Sequence, residues 1–432
     1  MTNELKDRVS KIRSGEVPNG YKKTVCGIIP DEWNICRFKQ KFTRQKSKNC
    51  EGNSNILTIS AQYGLINQEE FFKKEVASDD KSNYYLLNKG DFAYNKSYSN
   101  GYPYGAIKPL TRYEKGIVSP LYICFSPADD SFCTDYYTHY FEFGLLNKEI
   151  HAIAQEGARN HGLLNVSVDD FFNTNILCPP LPEQQKIAEI LSTQDKVIDL
   201  IQNKIEELKK LKKAYLQKMF PKKGSLFPEI RFKGFTDAWE QRELGGVCSE
   251  IGDGLHSAPN YDDSGDYFFI NGNNLVNGKI IIDPIETKRV SEATFKKNDN
   301  NLDATTILLS INGTIGNLAY YCGEMVMLGK SAAYLKAQNI EKEFLYTSLQ
   351  TSNVLNNFML SLTGTTIKNL GLEAIKKTVL SIPCSEEQQQ IGTYFRNLDN
   401  LITLHQRKLE QEQQKKKALM QLLLTGIVRV KV

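Results

Sequence analysis

The sequence predicts an α+β protein: two globular mixed α/β domains joined by two long antiparallel helices that form a coiled-coil spacer, with a pseudo-twofold internal repeat. Three observations lead there. Residues 165–220 and 369–424 are one element written twice, at a constant offset of 204 and without a gap. Each copy carries a helical apolar stripe over about 38 residues, roughly 57 Å of helix. The segments before the two copies hardly match each other, although both are rich in Tyr, Phe, Asn and Gly.

Taken along the chain, Leu5, Val9 and Ile12 predict a short helix over 4–13, ended by Ser14-Gly15. The first globular segment holds β-like runs at Ile56–Ser60, Asp91–Tyr94 and Leu121–Phe125, and a helix over about 135–154 before Gly157. The first long helix follows, with Ile187, Gln194, Ile201, Leu208 and Tyr215 at seven-residue spacing. Ile190, Val197 and Leu211 lie on the same side, and Leu191, Ile198 and Ile205 widen the stripe. Leu181-Pro182 suits its first turn and Pro221 stops it. The second globular segment has runs at Tyr267–Ile270, Lys279–Ile282, Thr306–Ile311 and Met325–Leu328, separated by Asn-Gly turns, and a helix over about 341–360 before Gly364. The second long helix keeps Ile391, Leu398, Leu401, Ile402, Leu409, Leu419 and Leu422 and ends at Thr425-Gly426. Five regions result: an N-terminal helix (1–19), a first globular domain (20–178), a central helical spacer (179–227), a second globular domain (228–381), and a distal helical spacer with a C-terminal tail (382–432).

With 432 residues, 41% hydrophobic and 24% charged, the chain has ample material for a core in each half. A net charge of +4 permits nucleic-acid binding through a local basic face without arguing for it. The polar N-terminus, the lack of an apolar run of about 18 residues, and nine cysteines without a CxxC pair predict a reduced, cytoplasmic setting.

The search for an active site ends in near-misses. Gly323 to Gly329-Lys330-Ser331 has five residues between its glycines, and Glu, Met, Val, Met and Leu make a strand rather than a phosphate loop. Asn95-Lys96-Ser97-Tyr98 lacks the prolines that shape the adenine methyltransferase turn. Glu250 to Gly254 leads into turns, not into a helix N-terminus. The histidines are isolated; His161 and His256 sit in polar turns and His405 on a helix stripe. The expectation is a binding protein, not an enzyme, with no catalytic residue, metal or cofactor.

The turns of both globular segments combine residues that reach phosphates with residues that read base edges. In the first they are Lys46, Lys48 and Asn49; Tyr94, Asn95, Lys96, Tyr98 and Asn100; and Arg159 and Asn160. In the second they are His256; Asn273 and Asn274; Asn312 and Thr314; Lys330 and Ser331; and Thr365, Thr366 and Lys368. Asn, Ser and Gly also fill turns for backbone reasons, so placement has to decide. The lysines near the helix ends read as a solvated face.

Over essentially its whole length the chain resembles the specificity (S) subunit of type I restriction–modification systems. The resemblance rests on Pro179 with Glu183–Ile187 and Pro383 with Glu387–Ile391, and on the long helix after each. Gly27-Ile28-Ile29-Pro30-Asp31-Glu32-Trp33, Phe232-Lys233-Gly234-Phe235 with Trp239, and Gly364-Thr365-Thr366 before Asn369-Leu370 also carry it. Cys384-Ser385-Glu386 departs from the Pro180-Leu181-Pro182 of the first copy and leaves the second helix start open. The resemblance implies two target-recognition domains, 20–178 and 228–381, each reading half of a bipartite asymmetric sequence on double-stranded DNA. It implies two copies of a modification (methyltransferase) subunit that supply the adenine chemistry, and restriction (motor-nuclease) subunits that join for cleavage. A stand-alone adenine methyltransferase or nuclease, and a coiled-coil adaptor without a nucleic-acid role, remain the alternatives.

Overall fold

A computed structural model describes residues 3–60, 63–72, 81–99, 101–129, 132–154, 162, 164–364 and 368–431. The chain forms two compact units, Met1–Leu200 with Lys408–Val432, and Ile201–Arg407. The division cuts across both long helices, so each unit holds the start of one and the end of the other.

Those helices run Leu181–Lys218 and Ser385–Leu424. Their first residues are equivalent in the repeat, so the departure at Cys384-Ser385-Glu386 does not move the second start. On the first helix Ile187, Leu191, Gln194, Ile198, Ile201, Ile205 and Leu208 are buried, whereas Leu211 is 40% exposed and off the seam. On the second, Ile391, Phe395 and Leu398 are buried. Leu401, expected on the stripe, is 44% exposed, and its neighbour Ile402 is the one packed against the core.

In each unit the two helical segments are antiparallel. In the first, Lys416 pairs with Asp195, and Gln194 Nε2 donates to Glu412 Oε2 at 2.6 Å. In the second, Lys212 Nζ lies 2.7 Å from Asp399 Oδ1, and the Tyr215 and Tyr394 rings meet edge to face at 5.5 Å. Asp195 and Asp399 are equivalent in the repeat, as are Lys416 and Lys212. One ion pair is therefore used twice.

Both globular parts are built on a four-stranded antiparallel sheet. In the first unit its order is Phe42–Arg44, Ile123–Pro127, Phe92–Asn95 and Ala106–Pro109. In the second it is Cys248–Asp253, Ala332–Ala337, Thr306–Ser310 and Leu318–Tyr320. A three-stranded sheet, Arg289–Val290, Tyr267–Ile270 and Val326–Leu328, stands beside the latter. At each base a two-stranded ladder leads into the long helix. Asn34–Arg37 pairs with Asn175–Cys178, and Glu240–Glu243 with Val379–Ile382.

The helix expected over 135–154 is two, Thr134–Glu142 and Asn147–Ile153. Gly144 breaks it with φ +79°, a conformation open to glycine at little cost. The helix expected over 341–360 is likewise Lys342–Ser348 and Ser352–Leu360. The first core is aromatic: Phe38, Phe42, Phe92, Phe125 and Phe141 pack ring on ring. The second is mainly aliphatic, with Phe220, Trp239, Phe344 and Phe395 near the helix seam. Among the described residues no helix is long and apolar enough to cross a membrane.

Candidate nucleic-acid interface

The repeated Glu-Gln-Gln at each helix start fixes the head above it. Gln184 Nε2 donates to Pro179 O at 2.8 Å, and its Oε1 accepts from Cys133 N at 3.1 Å. Gln388 Nε2 donates to Pro383 O at 2.9 Å, and its Oε1 accepts from Glu341 N at 3.0 Å. Cys133 and Glu341 are the residues just before the helices Thr134–Glu142 and Lys342–Ser348, whose first N–H groups lack helical partners. A glutamine suits this place because the nitrogen of its amide donates to one backbone group while its oxygen accepts from another. The neighbouring glutamates are sealed too. Arg429 donates through Nε and Nη2 to Glu183 at 2.7 and 2.9 Å, and Arg231 likewise to Glu387 at 2.7 and 2.8 Å. Held this way, each head presents its loops at a set place on the helices.

In the second unit the loops gather. Leu255 bridges to Gly329, which places His256 beside Lys330. Gly329 N donates to Ile270 O at 2.8 Å. Ser331 Oγ accepts from Gly272 N at 2.9 Å and donates to Asn271 Oδ1 at 3.0 Å. Thr314 Oγ1 contacts Ser310 Oγ at 3.3 Å, and Ile311 N donates to Ser331 O at 3.0 Å. Asn312 bridges to Asn369, next to Lys368. His256, Asn273, Asn274, Asn312, Thr314, Lys330, Ser331 and Lys368 thus share one loop cluster. Asn273, Thr314, Lys330, Lys368 and His256 are exposed at its surface. His256 is paired with Asp253 at 2.8 Å, whereas Asn274 and Ser331 spend their polar atoms on the framework.

Glycines make this cluster possible. A Cβ on Gly272 would stand 2.2 Å from Ser310 Oγ, one on Gly329 2.4 Å from Asn271 Oδ1, and one on Gly254 2.2 Å from Leu328 O. Two of them, Gly254 and Gly329, belong to sequences that imitate nucleotide loops. Their role is close approach of one backbone to another.

The first unit differs. The strands Phe42–Arg44 and Phe92–Asn95 end on the same side of their sheet, so Lys46 and the 95–99 loop leave it together. Lys46, Lys48 and Tyr98 are exposed, and Lys96 and Asn95 are half-buried. Tyr98 N donates to Gly162 O at 2.7 Å, which ties this loop to the segment after 161. Lys48 Nζ donates to Asn83 Oδ1 at 2.7 Å. Two expectations are corrected. Tyr94 is fully buried, stacked on Phe171, and its hydroxyl donates to Tyr104 O at 2.7 Å. Burial drives its phenol pKa upward, and no ligand can touch it. Asn49 is also buried, with its amide engaged by Asn53 N and O as a turn brace. Asn100, Arg159, Asn160, Thr365 and Thr366 lie outside the described residues.

Sequence reasoning missed two buried lysines on the sheets and the carboxylates they pair with. In the first unit Lys108 is buried against Glu142 and Tyr102. In the second, Lys336 Nζ lies 2.6 Å from Glu250 Oε2 and Tyr334 donates to Glu250 Oε1 at 2.7 Å. The Lys336 hydrogen bond, then that of Tyr334, hold the Glu250 carboxyl below its ordinary pKa. Alternation along these strands hides such residues, because a lysine on a strand reads as solvent-facing.

Two similar heads on clamped helix starts, one carrying a polar loop cluster, define a protein built to present recognition loops from a repeated frame. The profile of the type I restriction modification DNA specificity domain matches residues 33–210 and 236–413, and the chain belongs to this family of type I restriction–modification specificity subunits. It is 24% identical over 427 residues to the putative type I restriction enzyme MjaX specificity subunit of Methanocaldococcus jannaschii, covering 95% of this chain and 97% of that protein. It is 26% identical over 302 residues to the type I restriction enzyme MjaVIII specificity subunit of the same organism, covering 68% of this chain and 70% of that protein. Among solved structures, the S subunit of a type I restriction–modification system from M. genitalium shares the fold with a TM-score of 0.53 at 15% identity, over 96% of this chain and 99% of that one. A chain solved in work on complex assembly and conformational transition of the type I R-M system gives 0.55 at 15% identity, over 93% and 99%.

Proposed function

We propose that this chain binds a bipartite, asymmetric sequence on double-stranded DNA, one half per globular domain, and directs adenine methylation and restriction carried out by partner subunits. It performs no catalytic step itself. Two copies of a modification subunit and, for cleavage, restriction subunits assemble with it in the cytoplasm. The recognition domains are 20–178 and 228–381, and the helical spacers 179–227 and 382–432 set the gap between the half-sequences. One observation carries this reading: the same clamped helix start occurs twice beneath two unlike sets of loops. A repeated frame suits two equivalent partners, and unlike loops suit two unrelated half-sequences.

Within the second domain, Lys330, Lys368 and Thr314 are assigned to phosphate contact, and Asn273 and Asn312 to base edges. In the first, Lys46, Lys48 and Lys96 take phosphates and Asn95 and Tyr98 the bases. The test is methylation mapping of DNA exposed to the purified chain alone and with its modification subunits. The chain alone is expected to leave DNA unmodified. With the subunits, methylation is expected at one split sequence with unrelated halves. Methyl transfer by the isolated chain, or a continuous or palindromic target, overturns the proposal.

A further inference from the structure

Leu360 is 84% exposed, and Met359 beside it 51%. They close the helix Ser352–Leu360 of the second unit, which Val354 and Phe358 anchor in the core. An isolated exposed apolar residue is ordinary on any protein surface. The place of this one is not. Two residues on, Leu362–Thr363 pairs with Asn369–Leu370, Asn369 bridges to Asn312, and Leu370 N donates to Ile311 O at 2.9 Å. The apolar tip therefore stands on the hairpin that joins the recognition loops. From Phe344 to Leu372 the chain has no acidic residue, and Lys368 is its one charge. No carboxylate of this segment opposes a phosphate.

A second exposed apolar tip serves as a contrast. Ile285 is 95% exposed on a turn held by Asp283, whose Oδ1 accepts from Ile285 N at 2.8 Å and whose O accepts from Thr287 N at 2.8 Å. Asp283 and Glu286 flank it, and two carboxylates beside a phosphate backbone oppose contact.

We propose that Leu360 is a specificity-determining residue that packs against the C5-methyl group of a thymine in the half-sequence read by the second domain. The inference rests on the DNA-binding reading above and adds a chemistry to it. Base edges in the major groove offer hydrogen-bond donors and acceptors and one apolar group, the thymine methyl. An aliphatic side chain buried against base edges gains only by meeting that group.

The experiment uses the full chain assembled with its modification subunits, and duplexes carrying the target found by methylation mapping. Each thymine of both halves is replaced in turn by deoxyuridine, which removes only the methyl group. With the wild-type chain, one thymine in one half is expected to weaken binding about fourfold on replacement, the value of one buried methyl-sized group. Leu360→Ala is expected to weaken binding to the thymine duplex and to abolish the sensitivity at that position. Leu360→Met retains part of the sensitivity, so a folding defect in the alanine variant does not decide the matter. Ile285→Ala leaves the pattern unchanged. Independent effects of Leu360→Ala and deoxyuridine, or a second-domain half-sequence without thymine, overturn the inference and leave the functional reading standing. Absence of any sequence-dependent binding or methylation overturns the functional reading itself.

Discussion

The bases of the two heads are nearly interchangeable, and their tips are not. Gln184 and Gln388 make the same pair of hydrogen bonds to the same backbone positions, and Asp195–Lys416 repeats as Asp399–Lys212. At the tips, four loops of the second unit interlock through Ser331, Thr314 and three glycines. In the first unit the corresponding polar sequence is partly taken into the core at Tyr94 and Asn49. Residues that close a buried hydrogen-bond geometry have few chemical substitutes. Loop residues facing outward have many, so divergence collects there.

The largest expected effect tests a difference inside the shared base. Glu387 is fully buried and bonded by Arg231, whereas Glu183 also accepts from the Trp33 indole N–H at 2.8 Å. Trp239 precedes its strand as Trp33 does, yet its indole nitrogen has no partner among the described residues. Arg231→Ala therefore leaves a buried carboxylate with no side-chain donor among the described residues, and about 3 kcal/mol of stability is expected to go. Arg429→Ala leaves Glu183 with its indole, and Arg429 is itself one-third exposed, so about half that loss is expected. Urea unfolding of both variants decides; equal losses break the comparison.

Next in size, Gln184→Ala and Gln388→Ala each remove one donor and one acceptor at a buried helix start. About 2 kcal/mol is expected for each, from two hydrogen bonds of roughly 1 kcal/mol. Their equality is the sharper part of the prediction. A loss in one copy alone shows that the duplicated motif is structural in one head and serves something else in the other.

How much of this was legible follows the same line. The repeat, the start of the first long helix, Tyr267–Ile270 and the outlines of the six other strand runs named from the sequence were readable, because long apolar periodicity and fixed spacing survive tertiary packing. The second helix start was left open, and strands such as Cys248–Asp253 and Ala332–Ala337 were not read. Leu401 was placed on the stripe together with Ile402, but neighbouring residues lie about 100° apart on a helix, so Ile402 packs on the core and Leu401 faces outward. Tyr94 was misread because an Asn-Lys-Ser-Tyr turn follows it, although the strand before the turn points its ring inward. Arg231 and Arg429 could not be found by offset, since they sit in the unlike tails after each helix. The convergence of loops 254–256, 271–274, 312–314 and 329–331 is a long-range property with only its glycines as a local trace.

A smaller effect separates a loop residue from a core residue. Tyr94→Phe loses one hydrogen bond, about 1 kcal/mol, and should leave the salt dependence of DNA binding unchanged. Lys330→Ala and Lys368→Ala should leave stability unchanged and flatten the salt dependence by about one unit each in log–log slope. Salt titrations of binding by the assembled complex test all three. A lysine variant with the wild-type slope faces solvent and has no phosphate partner.

The smallest expected effect concerns the repeated ion pair. In the first unit buried His139 lies beside it, with Nδ1 3.9 Å from Asp195 Oδ2 and Nε2 3.3 Å from Ser192 Oγ. In the second, Lys212 meets Gln350 Oε1 at 2.7 Å, and among the described residues no histidine pairs with Asp399. Burial lowers the His139 pKa, Lys416 lowers it further, and Asp195, Asp135 and Glu142 pull weakly the other way. An unfolded histidine titrates near 6.5. As pH falls through that value, the unfolded chain takes up a proton that folded His139 resists. The contribution to stability is therefore complete above about pH 6.5 and declines on acidification. His139→Gln, which copies the amide chemistry of the second unit, removes this dependence. Urea unfolding of wild type and variant at pH 7.5 and 5.5 tests it, because the carboxylates common to both proteins cancel in the difference. The wild type is expected to lose more stability than the variant between the two pH values. An identical loss in both shows that His139 ionises in the folded state as it does in water, and that the two copies of the ion pair are electrostatically alike.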